Sequence, residues 1–350
     1  MCNNARVAIY GAGAMGTVLG AFLTAGGLQN VQLITRNQAH VAGLNKGARI
    51  VCAADNDERI VQVQACTPNE MSGKYDVVFL MTKQRDNQKI LQFLLPFLHE
   101  NSVVCTTQNG LPEQVVASVV GANRTFFGVA SFGANMLQAG EVALTSKREA
   151  MHLDIAPLQQ DNQEKTQRLL GILSYAGKAL GNNNFATYTK NALGARWSKL
   201  AINSAFSGLS VVTGLTFGEI AKKRCTKKIA LGILRETFEV ANASGVTLEK
   251  MQGHDLQKLL GGTGFFKTRL ALALLPVAMK KHKKLTSGML KDVLAGKKCE
   301  IDYICGAVVA AGKRVGVETP LCEKVVEIVH GIENGLYEIA IENIDFFKGI

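Results

Sequence analysis

Six residues near the N-terminus form a glycine-rich turn of a kind that binds phosphate groups. They are Gly11, Ala12, Gly13, Ala14, Met15 and Gly16. The turn follows a β-branched run and opens an apolar helical segment. In that context Gly11 permits the tight bend, Gly13 lets the backbone approach a pyrophosphate, and Gly16 allows close helix–strand packing. Free N–H groups at the start of the helix attract the phosphates, so the pattern predicts a dinucleotide site.

The end of the second predicted strand indicates which dinucleotide is bound. NAD-binding domains usually place Asp or Glu there to hold the ribose 2′-hydroxyl, but this chain has Arg36. A carboxylate would repel a 2′-phosphate, whereas a guanidinium pairs with it through a planar fork of donors. We therefore predict NADP(H) rather than NAD(H). An exposed loop arginine is the alternative interpretation.

Two further polar residues, Lys83 and Asn109, each follow a predicted strand. Ligands of an open α/β sheet bind outside the carboxyl ends of its strands, so both side chains are predicted to face the cofactor and the reacting carbon. Gly110 follows Asn109, and Asn-Gly is also a common turn dipeptide.

A third group of polar residues lies in the second half of the chain. Lys199 and Asn203 are four residues apart in a helical segment, so they share one face and can contact one small ligand. Reduction of a ketone by hydride transfer develops an alkoxide, which needs a nearby proton donor. No histidine is an obvious donor, and Lys199 is the predicted acid. Taken alone, Lys199 and the more distant Glu300 would each be read as solvated surface residues.

The elements that must position these residues change character along the chain. From residue 5 to about 185, β-branched runs alternate with helical stretches, which predicts an α/β fold with a Rossmann-type dinucleotide-binding domain at 1–188. Beyond the Asn-rich turn at 181–184 helical periodicity prevails, which predicts an all-α C-terminal domain at 189–350. The predicted strands are 6–10, 31–35, 76–81, 102–107 and 126–130. Further predicted elements are a hairpin of 49–53 and 60–65 added to the sheet, an antiparallel pair of 141–145 and 151–155, and a helix at 161–180.

Composition excludes several classes of protein. The chain has 350 residues, 47% hydrophobic and 19% charged, and shows neither a signal peptide nor a membrane span. Its eight cysteines form no CxxC pair and its six histidines are dispersed, which predicts a cytoplasmic protein without metal. The net charge of +11 comes from basic clusters without interleaved aromatics, so we expect neither a nucleic-acid nor a membrane partner. Apolar faces at 308–310 and 325–329 fit either the core or a homodimer contact.

Taken together, these segments resemble the ketopantoate reductase (2-dehydropantoate 2-reductase) family. The motifs occur in the family's order and run through nearly the whole chain, so the set of motifs is much more specific than any single motif in it. They are the GAGAMG turn, Arg36, Lys83, QNG at 108–110, the WxKLxxN pattern at 197–203 and EIDY at 300–303.

The resemblance implies NADPH as hydride donor to a 2-oxo acid, with the substrate in a cleft between the Rossmann and helical domains. It implies that Lys199 is the catalytic acid and that Glu300 binds substrate and orients the lysine. The cofactor-binding residues are then the six of the glycine-rich turn, Arg36, Lys83 and Asn109. The implied substrate-binding positions are Asn109, Asn203, Ser207, Ser287, Gly288 and Asp292.

Three positions on the substrate side depart from the family pattern. They are Ser207 and Cys305, where the family commonly has Asn, and Gly288, where it has a Ser that contacts the substrate carboxylate. Ser287 or Thr286 could replace the missing Ser only if the helix is rotated slightly. Losing hydrogen-bond partners weakens the selection of a polar substrate.

The sequence therefore predicts reduction of 2-dehydropantoate to pantoate in pantothenate and coenzyme A biosynthesis, with two alternatives. One is a reductase of another, branched-chain or less polar 2-oxo acid. The other is a non-catalytic NADP(H)-binding sensor.

Overall fold

Two units make up the chain, which a computed structural model describes over residues 4–160, 162–251, 253–280 and 283–350. The first unit extends to Gln108 and resumes over Pro112–Ala192. The second comprises Asn109–Leu111 and Leu193–Ile350, so its main part begins a few residues after the predicted boundary at 188.

The strands of the described residues lie in the first unit and form two sheets. The strands are β1 (Val7–Tyr10), β2 (Val31–Ile34), β3 (Ala48–Cys52), β4 (Asp57–Val61), β5 (Gln64–Cys66), β6 (Tyr75–Leu80), β7 (Leu98–Thr106), β8 (Thr125–Ala130), β9 (Ala134–Gln138), β10 (Glu141–Leu144), β11 (Leu153–Pro157) and β12 (Ala186–Tyr188). The eight-stranded sheet has the order β12-β11-β8-β7-β6-β1-β2-β5, and the four-stranded sheet has the order β4-β3-β10-β9. All neighbours in the large sheet are parallel except β8 and β11. The predicted α/β fold is confirmed, and β1, β2, β6, β7 and β8 lie within or overlap the five predicted strands.

Helices cover both faces of the large sheet, which is why its central strands are continuous apolar runs. Every residue of β1 and β8 is buried, and one apolar core lies on each face. The predicted helix at 161–180 is α5, which begins at Gln163, and Asp161 lies outside the described residues. The helices of this unit are α1 (Ala14–Ala25), α2 (Gln38–Lys46), α3 (Asn87–Leu94), α4 (Glu113–Val120) and α5 (Gln163–Leu180).

Two predicted strand arrangements were wrong: the sheet to which the hairpin belongs, and the pairing of 141–145 with 151–155. The hairpin forms between β3 and β4, but β3 also pairs with β10, so the hairpin belongs to the small sheet and is not added to the large one. The second half of the predicted 60–65 strand, β5, separates from β4 and pairs with β2. The strands predicted at 141–145 and 151–155 do not pair with each other, because β10 pairs with β9 and β11 with β8. Alternating apolar residues identify the buried face of a strand but carry no information about its partner.

The second unit is helical, as predicted. Its described residues contain no strand, only an isolated bridge between Met251 and His254. The faces at 308–310 and 325–329 contribute Val308, Val325 and Val329 to a single core, which favours the core interpretation of these residues. The helices are α6 (Ala192–Ile202), α7 (Gly208–Thr213), α8 (Phe217–Lys222), α9 (Arg224–Ala243), α10 (Leu256–Leu260), α11 (Phe265–Ala278), α12 (Gly288–Leu294), α13 (Cys305–Val315) and α14 (Pro320–Glu333).

Across the described residues of both units, none of the helices has the length and hydropathy that a membrane crossing requires.

Candidate functional site

The glycine-rich turn connects β1 to α1, and two of its glycines are required by the protein's own packing. Gly11 has φ +102°, and a Cβ there would lie 2.6 Å from the backbone nitrogen of Thr82. A Cβ on Gly16 would lie 2.6 Å from the carbonyl oxygen of Gly11. These two positions therefore let β1, β6 and the start of α1 approach one another.

Gly13 differs from the other two glycines, because no protein atom lies within 4 Å of the place where its Cβ would be. It is exposed and occupies the N-cap of α1, and among the described residues no side chain caps this helix. The first turn of α1 also contains no acidic residue. An uncapped helix N-terminus beside an open, side-chain-free position fits the pyrophosphate of a dinucleotide.

Arg36 lies at the rim of a cavity of about 480 Å³ in the first unit. Its guanidinium is exposed and lies 3.7 Å from the carboxylate of Asp86. Burial raises the pKa of Tyr10 in the cavity wall, and the positive charge of Arg36 opposes that rise. A second cation, Lys89, also lines the cavity and was missed by the sequence analysis. The lining residues are Tyr10, Arg36, Gln38, Thr67, Pro68, Asn69, Asp86, Lys89, Ile90 and Phe93.

A buried histidine fixes the helix that carries the glycine-rich turn. His40 Nδ1 accepts from the backbone N–H of Gly140 at 2.9 Å, which assigns the proton of a neutral ring to Nε2, 3.1 Å from Thr17 Oγ1. Burial lowers the pKa of His40. The neutral ring thereby joins α1 to α2 and to the β9–β10 turn.

Amide side chains hold the ends of β6 and β7 together. Gln108 donates to the Asn87 side-chain oxygen at 2.7 Å and accepts from its amide nitrogen at 3.0 Å. The same Gln108 amide donates to the Thr82 carbonyl at 2.8 Å. Thr82 precedes Lys83 and Gln108 precedes Asn109, and both predicted site residues are exposed. Gln108 was not among the predicted site residues, although an amide beside Asn-Gly at the end of a buried strand was the available signal.

Lys199 lies in the last turn of α6 and is partly exposed between buried neighbours. Trp197 packs into the core, and Ser198 donates to the carbonyl oxygen of Glu249 at 2.7 Å. A π-helical turn, Asn203–Ser207, joins α6 to α7. Single π-turns of this kind are frequent at functional sites. The turn begins at Asn203, one helical turn after Lys199, and ends at Ser207.

The segment that carries Glu300 leads into α13, whose first residue contacts this π-turn. Cys299 and Ile301 are buried on either side of the partly exposed Glu300, and a 3₁₀ turn, Ile301–Tyr303, follows. The thiol of Cys305, at the start of α13, donates to the carbonyl oxygen of Ser204 at 3.4 Å. The two predicted catalytic segments of the second unit are therefore joined where they continue into the core.

The segment at 286–292 forms the start of α12. The Ser287 hydroxyl is buried and accepts from the Met289 backbone N–H at 3.0 Å, so it serves as the helix N-cap. Gly288 is exposed, and no protein atom lies within 4 Å of the place where its Cβ would be. Asp292 is partly buried on the same helix. Of the two residues considered as replacements for the missing Ser, Ser287 is thus engaged in capping, and Thr286 is exposed.

The described residues contain no group of three or more His, Cys, Asp or Glu able to hold a metal ion.

Comparison with known proteins identifies the same family in both halves of the chain. The model described as "Ketopantoate reductase PanE/ApbA" matches residues 7–156, and that of the "Ketopantoate reductase PanE/ApbA C terminal" matches 191–333. The 2-dehydropantoate 2-reductase of Lactococcus lactis subsp. lactis is 25% identical over 331 residues, which cover 94% of this chain and 98% of the relative.

Solved structures are similar over the same extent. A PanE/ApbA family ketopantoate reductase from Ralstonia eutropha JMP134 has a TM-score of 0.76 and 25% identity, covering 95% of this chain and 99% of that one. A ternary structure of D-mandelate dehydrogenase with NADH and anilino(oxo)acetate has a TM-score of 0.79 with the same coverage. Its identity is 22%, so this likeness shows the fold alone.

Proposed function

The chain belongs to the ketopantoate reductase family, and we propose that it reduces a 2-oxo acid to the 2-hydroxy acid with NADPH, 2-dehydropantoate being the first candidate substrate. The observation that carries the proposal is the arrangement in the second unit. Lys199 and Asn203 lie one helical turn apart, and the π-turn that begins at Asn203 accepts a hydrogen bond from Cys305, which follows the Glu300 segment.

Apart from Asn109, the residues that would hold the dinucleotide lie in the first unit. The open backbone at Gly13 and the uncapped start of α1 suit the pyrophosphate, while Arg36 and Lys89 supply positive charge for a 2′-phosphate. Lys83 and Asn109 are assigned to the nicotinamide end. When bound, the reduced nicotinamide supplies the hydride that the carbonyl carbon accepts.

In the second unit, Lys199 supplies the other half of the reduction. As the carbonyl carbon gains a hydride, its oxygen gains negative charge, and the Lys199 ammonium stabilises that charge and donates a proton to it. The Glu300 carboxylate accepts from a substrate hydroxyl and orients the lysine. Asn203 and Asp292 are assigned to polar contacts with the substrate.

The choice of 2-oxo acid depends on the departures at Ser207, Gly288 and Cys305. Cys305 is fully buried, and its thiol donates a hydrogen bond to the carbonyl oxygen of Ser204. It therefore contributes to packing rather than to substrate contact. Gly288, by contrast, leaves open space at an exposed helix start. A site with fewer donors favours a less polar substrate, so branched-chain 2-oxo acids and the 2-oxo acid corresponding to mandelate are the second candidates.

A non-catalytic NADP(H)-binding sensor is the alternative from a different class. Such a protein would need the first unit but not a lysine and a carboxylate at the family's catalytic positions. The presence of both Lys199 and Glu300 favours the reductase.

The test is NADPH consumption by the purified chain with 2-dehydropantoate, 2-oxoisovalerate and phenylglyoxylate, each repeated with NADH. The highest kcat/KM with 2-dehydropantoate and NADPH would support the first candidate. Tight NADPH binding without turnover of any of the three acids would favour the sensor.

A further inference from the structure

Helix α14 contacts the chain on both sides of Glu300. The backbone N–H of Cys299 donates to Glu333 Oε1 at 2.7 Å. His330 Nε2 lies 2.9 Å from Asp302 Oδ1. His330 and Glu333 are three residues apart and so share one face of α14. This pair on one helix face contacts the residue before Glu300 and the second residue after it.

The segment needs such external contacts because its own secondary structure is weak. Glu300 precedes a 3₁₀ turn of three residues, and α13 begins only at Cys305. Short 3₁₀ turns have poor hydrogen-bond geometry and fix a side chain's position less firmly than an α-helix. The position of the Glu300 backbone, from which its carboxylate extends, therefore depends on what anchors this segment.

Glu333 makes the stronger of the two contacts. Its carboxylate accepts from a backbone N–H, which is a charge-assisted bond, and Cys299 is buried. Burial raises the pKa of the Cys299 thiol, and a hydrogen bond to the Glu333 carboxylate raises it further. The His330–Asp302 pair is more exposed and is therefore screened by water.

Helix α14 is a firm support for this contact. Its buried face contributes Val325, Ile328 and Val329 to the core. At its N-terminus, the Glu236 carboxylate accepts from the backbone N–H groups of Leu321 at 2.8 Å and Cys322 at 2.9 Å. Glu236 belongs to α9. Helix α14 is therefore held by α9 at its N-terminus and by the core along its buried face, and its C-terminal turn contacts the Glu300 segment.

We propose that Glu333, assisted by His330, is a positioning residue that fixes the direction of the Glu300 carboxylate. The proposal rests on the proposed function, because it concerns the residue assigned to substrate binding and lysine orientation. Neither residue is part of the family motifs from which the site was predicted.

The first experiment compares Glu333→Ala, Glu333→Gln and a control. Misplacing a substrate-orienting group by about 1 Å costs up to about a hundredfold, so Glu333→Ala should lower kcat/KM by roughly tenfold to a hundredfold. The Gln variant keeps an oxygen that accepts from Cys299 N–H, and its kcat/KM should stay within about fivefold of wild type. Glu327→Ala is the matched control, because Glu327 lies on the same helix and pairs with Lys324 at an exposed position.

A double-mutant cycle separates positioning from general destabilisation. If Glu333 acts through Glu300, then Glu333→Ala causes no further loss of kcat/KM once Glu300 is Ala. A purely structural effect would lower kcat/KM by the same factor in both backgrounds, and that result would overturn the proposal.

Hydrogen exchange at the Cys299 amide provides a readout that needs no turnover. Exchange of this amide should accelerate in Glu333→Ala but not in Glu327→Ala. Unchanged exchange in Glu333→Ala would contradict the anchoring. If the wild-type chain reduced no 2-oxo acid, the proposed function would fail, while the exchange measurement would still decide whether Glu333 holds the Glu300 segment.

Discussion

The thiol of Cys305 lies 3.4 Å from the carbonyl oxygen of Ser204, in the core of the second unit. Ser204 follows Asn203 in the π-turn, and Cys305 opens the helix that follows the Glu300 segment. One buried contact thus links the segment that continues from Lys199, the predicted acid, to the segment that continues from Glu300. Cys305 stands where the resemblance leads one to expect Asn, and its thiol still supplies a donor to the π-turn.

Gly288→Ser should restore a substrate contact without disturbing the fold. A Cβ at this position meets no protein atom within 4 Å, so the added hydroxymethyl group fits. If the proposed function holds, kcat/KM should rise by roughly fivefold, the effect of one hydrogen bond, for 2-dehydropantoate and 2-oxoisovalerate alike, because both acids carry the carboxylate that the added hydroxyl would contact. Gly288→Ala is the control, since it adds bulk without a hydroxyl. An equal effect of Ser and Ala on both substrates would contradict this prediction.

Gly11→Ala should lower the stability of the first unit, whereas Gly13→Ala should weaken cofactor binding. Gly11 has φ +102° and its Cβ would overlap Thr82, so Gly11→Ala should destabilise the first unit by about 2 kcal/mol or more. Gly13→Ala should leave the unfolding midpoint unchanged, because the added methyl meets no protein atom. It should nevertheless weaken NADPH binding at least about tenfold if a pyrophosphate approaches there. Urea unfolding and NADPH fluorescence titration measure the two effects. Unchanged NADPH affinity in a folded Gly13→Ala protein would remove this turn from the cofactor site.

Arg36→Ala should separate NADPH from NADH. The guanidinium is exposed beside Asp86, so removing it leaves Asp86 near the proposed 2′-phosphate. The KM for NADPH should rise roughly tenfold or more, whereas the KM for NADH should change little. Lys89→Ala should act in the same direction but more weakly. Equal changes for both cofactors in Arg36→Ala would show that this residue does not read the 2′-phosphate.

Acid should weaken the first unit through His40. Burial lowers the pKa of His40 in the folded protein, while the unfolded chain has the ordinary value of about 6.5. The unfolded state therefore binds the proton first, and stability present above about pH 6.5 is lost as the pH falls below it.

The measurement is the urea midpoint of wild type and His40→Gln on either side of that pH. The wild type should lose its advantage over the variant as the solution is acidified. His152, whose pKa is raised mainly by its hydrogen bond to Asp154, has the opposite dependence, but it is present in both proteins and cancels. A wild-type advantage that grew on acidification would be the wrong sign for a buried neutral His40.

The parts of the fold that the sequence predicted well are those whose signal is local. The buried apolar run of β1 and the glycines after it predict a strand, a turn and a helix within a few residues of one another. Pairing of β3 with β10 was not predictable in the same way, because it joins residues far apart in the chain and the pattern of a strand does not identify its partner.

The site shows the same division. Lys199, Asn203 and Glu300 are identifiable from type and motif, but the π-turn after Lys199 reads in sequence as uninterrupted helix. Asn87 and Gln108 are ordinary amides until the fold brings them together as a buried pair. Glu333 gave no sequence signal, because its acceptor role exists only where α14 passes the Glu300 segment.

The most direct test of the proposed reduction is the effect of Lys199→Ala on turnover and on cofactor binding. The kcat for the best 2-oxo acid should fall on the order of a hundredfold or more, because the alkoxide loses its proton donor, while NADPH affinity should stay near that of wild type. A Lys199→Ala protein that keeps wild-type kcat would contradict the assignment of Lys199 as the catalytic acid.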